Sequence, residues 1–134
     1  MDNCIYCKIM TGEIPSYCLY EDDLFKVILD IYPSAIGHTL IIPKAHAANI
    51  YELGEKESAT LMPLAGKIAA ALKELLNFDG LNILQNNGEV AGQTINHYHM
   101  HLIPRYKDDD IVIKWNTKSP ESEVFKKILD GIKL

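Results

Sequence analysis

At 134 residues, with 48% hydrophobic and 23% charged positions, the chain is sized for a single domain over 1–134 with its own core, and it shows neither a low-complexity tract nor an internal repeat. Its formal net charge of -5 excludes the broad basic footprint that DNA or RNA binding needs, while a small anion can still be held by local groups such as histidines. The start Met1-Asp2-Asn3-Cys4 has neither a basic nor an apolar leader, and no stretch reaches the roughly 18 apolar residues of a bilayer span, so a cytoplasmic protein without membrane contact is expected.

In chain order, an N-terminal segment over 1–16 carries Cys4-Ile5-Tyr6-Cys7. Three cysteines make no disulfide framework, so this pair reads as metal-binding or redox-active, and Cys18 as a small buried hydrophobe. Residues 17–31 form a predicted hairpin: Tyr17 to Tyr20, a Glu21-Asp22-Asp23 turn, then Phe25 to Asp30. His38 to Ile42 is a further strand, closed by Pro43, which has no N–H for a central ladder. Between Gly54 and Phe78, residues Leu61, Leu64, Ala65, Ile68, Leu72, Leu75 and Leu76 follow the spacing of one helical face. Pro63 either kinks this helix or marks its true first turn. Asp79-Gly80 breaks the pattern before a strand at Leu81 to Leu84, and the polar, glycine-bearing run 85–94 is a loop. A histidine strand from His97 ends at Pro104-Arg105, completing a sheet-and-helix core over 17–106. The tail 107–134 holds a C-terminal helix that starts at Ser119-Pro120 and runs through Leu129. Antiparallel strands with one long helix give an α+β fold.

Side chains alternate along a strand, so His97, His99 and His101 share one face while Tyr98, Met100 and Leu102 share the other. Three imidazoles in a row repel when charged together, and such a row wants an anion or a metal beside it. All five histidines of the chain fall at His38, His46 and this strand.

His97-Tyr98-His99-Met100-His101-Leu102-Ile103 resembles the His-φ-His-φ-His-φ-φ signature of the histidine triad family of nucleotide hydrolases and transferases. Cys4 to Ile9, Gly12 to Pro15, Asp30-Ile31, Gly37 to Lys44 and Gly92-Gln93 are similar to landmarks of its Hint-like bacterial members. The resemblance implies an antiparallel sheet of about five strands with one long and one C-terminal helix, in a homodimer whose sheets join across the interface. It implies that His99 attacks the α-phosphorus of a purine nucleotide, giving a nucleotidyl-imidazole that water cleaves, with His101 donating to phosphate oxygens or the leaving group. Asn86, Gln93 and Thr94 then touch the phosphate side, Asp30 binds the ribose hydroxyls, and Ile28 and Ile31 wall the base. Read without the resemblance, Asn86 and Thr94 are turn residues, Asp30 a strand-end cap and the isoleucines core.

The combination of Cys4, Cys7, His46 and His97 resembles the Cys₂His₂ zinc site of some family members, which implies a closed structural site. Its alternative is two reduced cysteines, with His46 and His97 lining the phosphate site. His38 reads as structural, and Trp115 either reaches a partner's site or packs on the surface. The implied substrate is a phosphoramidate, acyl-adenylate or dinucleoside polyphosphate. A nucleotide-binding regulatory or scaffold protein with incidental hydrolysis is the second reading, and a thiol redox protein built on Cys4 and Cys7 the third.

Overall fold

The computed structural model describes residues 3–134; Met1 and Asp2, the start of the expected N-terminal segment, lie outside the described residues. A short helix α1 (Ile5–Met10) precedes the strands β1 (Cys18–Glu21), β2 (Phe25–Leu29) and β3 (Thr39–Pro43). The long helix α2 (Glu55–Leu76) follows, then β4 (Gly80–Leu84), β5 (Met100–Arg105) and α3 (Ser122–Gly131). The five strands form one antiparallel sheet in the order β1-β2-β3-β5-β4, so the α+β architecture is as the sequence predicts.

The hairpin turns on Asp22, whose Oδ1 accepts from the backbone N–H groups of Leu24 and Phe25, both at 2.8 Å. β1 is an edge strand, exposed throughout and irregular between Cys18 and Tyr20. Cys18 is therefore not the buried hydrophobe that composition suggests: it lies at a bulge on the open edge. β3 is buried along its whole length because both faces of the sheet centre are covered. On one face, Phe25, Val27, Ile41, Tyr98, Met100 and Leu102 pack against Leu61, Ala65 and Leu72 of α2. On the other, Ile28, Leu40 and Ile42 pack against Tyr6 and Ile9 of α1.

Pro63 lies inside α2 rather than in its first turn. It is exposed, as is Ala59, so the carbonyl that Pro63 leaves without its helical partner faces water. Leu75, expected on the buried face, is 80% exposed. The helix stops at Asn77, left-handed at φ 49° and donating to Lys73 O at 2.8 Å, before the expected Asp79-Gly80 break.

The histidine segment becomes a strand only at Met100, three residues later than expected. Pairing with β3 ends at Ile41 opposite Met100, and Pro43 has no N–H with which to extend it. His97 to His99 are nevertheless extended enough to keep the alternation, with Tyr98 in the α2 core and the imidazoles on the α1 face. Beyond β5, Arg105 gathers the tail by bonding Asp109 (2.7 and 3.0 Å), Ile111 O (2.8 Å) and Asn82 (2.8 Å). α3 begins at Ser122, after an N-cap at Glu121, so Ser119-Pro120 does not start it. It leaves Val124, Phe125, Ile128 and Leu129 exposed. Among the described residues, no helix is long and apolar enough to cross a membrane.

Gly37 sets the entry to β3 with φ +92°. A Cβ there would run into Leu76 Cδ1 and come within 3.2 Å of Pro104 Cγ. Gly37→Ala should thus cost about 1–3 kcal/mol of stability, read as a lowered urea midpoint; an unchanged midpoint would refute the strain.

Candidate active site and metal centre

His99 is buried, and its Nδ1 lies 2.7 Å from the backbone carbonyl oxygen of His97. A carbonyl only accepts, so this partner assigns the proton to Nδ1 and leaves Nε2 with its lone pair. Burial lowers the His99 pKa from its ordinary value, outweighing the opposing pull of the carbonyl and Asp30, and the ring is neutral near pH 7.

His101 has the opposite tautomer. The Ser34 backbone N–H donates to His38 Nδ1 at 3.0 Å, so the His38 proton is on Nε2. That N–H donates to His101 Nδ1 at 2.9 Å, with Asp30 Oδ2 3.6 Å from the same nitrogen. His101 is left with its proton on Nε2. Burial, then His99, then His38 push its pKa down to about 4, so it is a neutral donor. The rings of His99 and His101 lie 4.9 Å apart. Asp30, His38 and His101 are close enough to form a metal cluster, but the Ser34 N–H already claims the one lone pair of neutral His38. The three read instead as a hydrogen-bonded chain behind His101. His38, which reads as structural in the sequence, is hydrogen-bonded to His101 and faces Asp30. Its signal was its phase: it shares a face of β3 with Leu40 and Ile42.

Asp30 accepts from the Tyr32 backbone N–H at 2.9 Å through its other oxygen, so it caps the strand end while facing His38. It lines an open groove of about 720 Å³ with Ile31, Tyr17, Leu29 and Pro33. Ile31 is exposed in that groove, whereas Ile28 is buried beneath α1. Gln93 faces inward, accepting from Gly88 N (2.8 Å) and donating to Ala48 O (2.6 Å) and Ile95 O (3.1 Å), so its amide braces the loop. Among the described residues the Asn86 side chain reaches only Gly92 O, at 3.4 Å. Thr94 is exposed beside Asn3, Cys4 and His46.

Cys4 caps α1, and the helix brings Cys7 to the same side one turn later, where its N–H donates to Cys4 Sγ at 3.3 Å. His97, fully buried, donates from Nε2 to Pro43 O at 2.7 Å, which leaves its Nδ1 bare. That nitrogen lies 3.3 Å from Cys4 Sγ, 3.6 Å from Cys7 Sγ and 3.2 Å from His46 Nδ1, and His46 Nδ1 lies 3.3 Å from Cys7 Sγ. Zinc bonds of about 2.0–2.1 Å to nitrogen and 2.3 Å to sulfur place tetrahedral ligand atoms about 3.3–3.8 Å apart. The four separations of 3.2–3.6 Å lie close to that spacing, and all four ligand atoms lie within 4.8 Å of one another, so the set could hold a metal ion. Burial, followed by Cys4, raises the Cys7 pKa.

Residues 11–108 match the model of the HIT domain. The chain is 39% identical over 126 residues to adenosine 5'-monophosphoramidase of Saccharomyces cerevisiae, an alignment covering 93% of this chain and 77% of the yeast one. A HIT family protein of Bacillus anthracis superposes with TM-score 0.89 at 40% identity, covering 98% of this chain and 99% of that one. A Zn-bound histidine triad family protein of Mycobacterium smegmatis does so with TM-score 0.78 at 36% identity, covering 96% and 91%.

His38, His99 and His101 are held below the ordinary histidine pKa of 6.5, chiefly by burial. Above pH 6.5 folded and unfolded chains are both neutral at these positions. As pH falls through 6.5 the unfolded chain takes up protons first, so stability drops, until His101 itself titrates near 4. The urea midpoint should fall between pH 7 and pH 5, and fall less in His101→Gln; a midpoint that holds or rises would contradict the neutral tautomers.

Proposed function

The chain belongs to the HIT domain family, and on that footing we propose that it is a nucleotide hydrolase or nucleotidyl transferase cleaving purine nucleotides at the α-phosphate through a covalent nucleotidyl-His99 intermediate. The observation that carries this reading is the pair of opposite tautomers, a bare Nε2 on His99 beside an Nε2–H on His101. A nucleophile and a hydrogen-bond donor then stand on neighbouring rings whose centroids are 4.9 Å apart. The His99 lone pair forms the N–P bond as the bond to the leaving group breaks, and the leaving group takes the electron pair. His101 stabilises the negative charge on the departing atom or on the phosphate oxygens. Water next attacks phosphorus, the N–P pair returns to His99, and one proton passes to solvent.

With a pKa of about 4, His101 is a donor rather than a strong acid near pH 7. Such a site favours leaving groups that need little more than a hydrogen bond: the carboxylate of an acyl-adenylate, a phosphate of a dinucleoside polyphosphate, or an amine that already carries its proton. The yeast relative's activity on a phosphoramidate supports this class. Asp30 in its groove is the proposed ribose acceptor and Ile31 the wall of the base site, with Ile28 behind it. Asn86 and Thr94 complete the phosphate side, and Gln93 shapes it. In this reading 1–134 is one domain that works in the cytoplasm as a homodimer, and the apolar stripe on α3 is surface available to a second copy.

Cys4, Cys7, His46 and His97 are the residues that would hold zinc, supported by their spacing and by the Zn-bound mycobacterial relative. The ion would supply structural cross-linking only, since the four protein ligands close its coordination.

Native protein should turn over adenosine 5′-phosphoramidate, and His99→Ala should lose on the order of 10³-fold or more in kcat, with a 5′-adenylyl adduct trapped on native His99 by mass spectrometry. Equal activity of the two would refute the nucleophile. Nucleotide binding by two inert proteins would turn the reading to a nucleotide-binding scaffold. Protein purified without added metal should contain about one zinc per chain; less than about half an equivalent would count against the centre.

A further inference from the structure

Helix α1 faces two ways. Cys4 and Cys7 turn toward His46 and His97, whereas Tyr6, between them in sequence, is buried against the imidazole row. The Tyr6 ring meets His97 at 5.8 Å and 87° and His99 at 5.0 Å and 71°, edge to face in both cases. His99 also meets the His101 ring at 4.9 Å and 64°. One hydrogen bond to His97 O fixes the direction of Nδ1, but a ring held at one atom can still rock about that bond. The Tyr6 contact lies against the ring itself and, with the His101 ring, limits that freedom. What holds Tyr6 in turn is the seating of α1, a helix of six residues and too short to persist without tertiary contacts. Its apolar contacts with Ile28, Leu40 and Ile42 are supplemented by the sulfurs of Cys4 and Cys7, which meet His97 and His46.

We propose that Tyr6 is a positioning residue for His99, and that the Cys4–Cys7–His46–His97 centre, when it holds its metal, keeps Tyr6 seated by docking α1 on the sheet. The inference rests on His99 being the nucleophile. It would give the metal an effect on rate without any contact with substrate: with Cys4, Cys7, His46 and His97 holding the ion, α1 would keep the Tyr6 ring against His99 and so hold the angle at which Nε2 meets phosphorus.

The test uses full-length Tyr6→Leu, Tyr6→Phe and the Cys4→Ser/Cys7→Ser pair, alone and combined, with adenosine 5′-phosphoramidate, zinc content and hydrogen exchange at residues 5–11. Tyr6→Leu should retain its zinc and lower kcat about tenfold with KM within about twofold, and Tyr6→Phe, which keeps the ring, should recover at least about half of the native kcat. The cysteine pair should lower kcat comparably and speed exchange at 5–11, and adding Tyr6→Leu to it should cost less than about twofold more. The proposal is overturned if Tyr6→Leu leaves kcat intact while His99→Ala abolishes it, or if the two lesions multiply. Should Tyr6→Leu lose its zinc or its cooperative unfolding, native protein stripped by a chelator decides: unchanged protection at 5–11 overturns the docking, and lost protection supports it. Turnover that survives His99→Ala would defeat the nucleophile reading instead, and the exchange measurement separates the two failures.

Discussion

His97 makes three directional contacts with three different parts of the molecule. Its Nε2–H reaches the carbonyl of Pro43 at the end of β3, its Nδ1 meets the sulfurs and nitrogen of the cysteine–histidine set, and its own carbonyl takes the Nδ1–H of His99. Each contact fixes the next. Because the Pro43 carbonyl claims one ring nitrogen, the other must be bare, and because the backbone is held there, the carbonyl that orients His99 cannot drift. A buried imidazole whose atoms are all engaged costs little to keep in place, whereas one with an unmatched nitrogen would cost about 1–3 kcal/mol. Among the described residues no fully buried side-chain nitrogen or oxygen lacks a partner.

Much of this was legible in the residues. The alternation of His97, His99 and His101 with Tyr98, Met100 and Leu102 separates an imidazole face from a core face before any coordinates are known, and the structure keeps that division. The period of Leu61, Ala65 and Leu72 marks the buried stripe of α2 in the same way. Cys4 and Cys7 announce a shared ligand direction through their spacing alone. In each case the information lies within one local element, where geometry follows from periodicity.

What sequence could not supply depends on register and on neighbours distant in the chain. His38 joins His101 across 63 positions, and only the offset of β3 against β5 brings their nitrogens within 2.9 Å. The late start of β5 follows from Pro43, a residue in another strand. Cys18 is exposed because β1 is an edge, a property of strand order, and Gln93 points inward because Gly88 and Ala48 present the backbone groups it braces. Neither composition nor periodicity encodes such facts, since each is set by which segment lies alongside.

The opposed tautomers of His99 and His101 also make the site polar along one direction. An anion whose oxygens offer only lone pairs meets a donor in His101 and a repelling lone pair in His99. An electrophilic phosphorus fits that polarity; a finished phosphate monoester, rich in charge on every open side, fits it worse. Under the proposed reading, the backbone carbonyl that fixes the His99 tautomer would thus favour release of a phosphate product and discourage it from occupying the place of the next substrate.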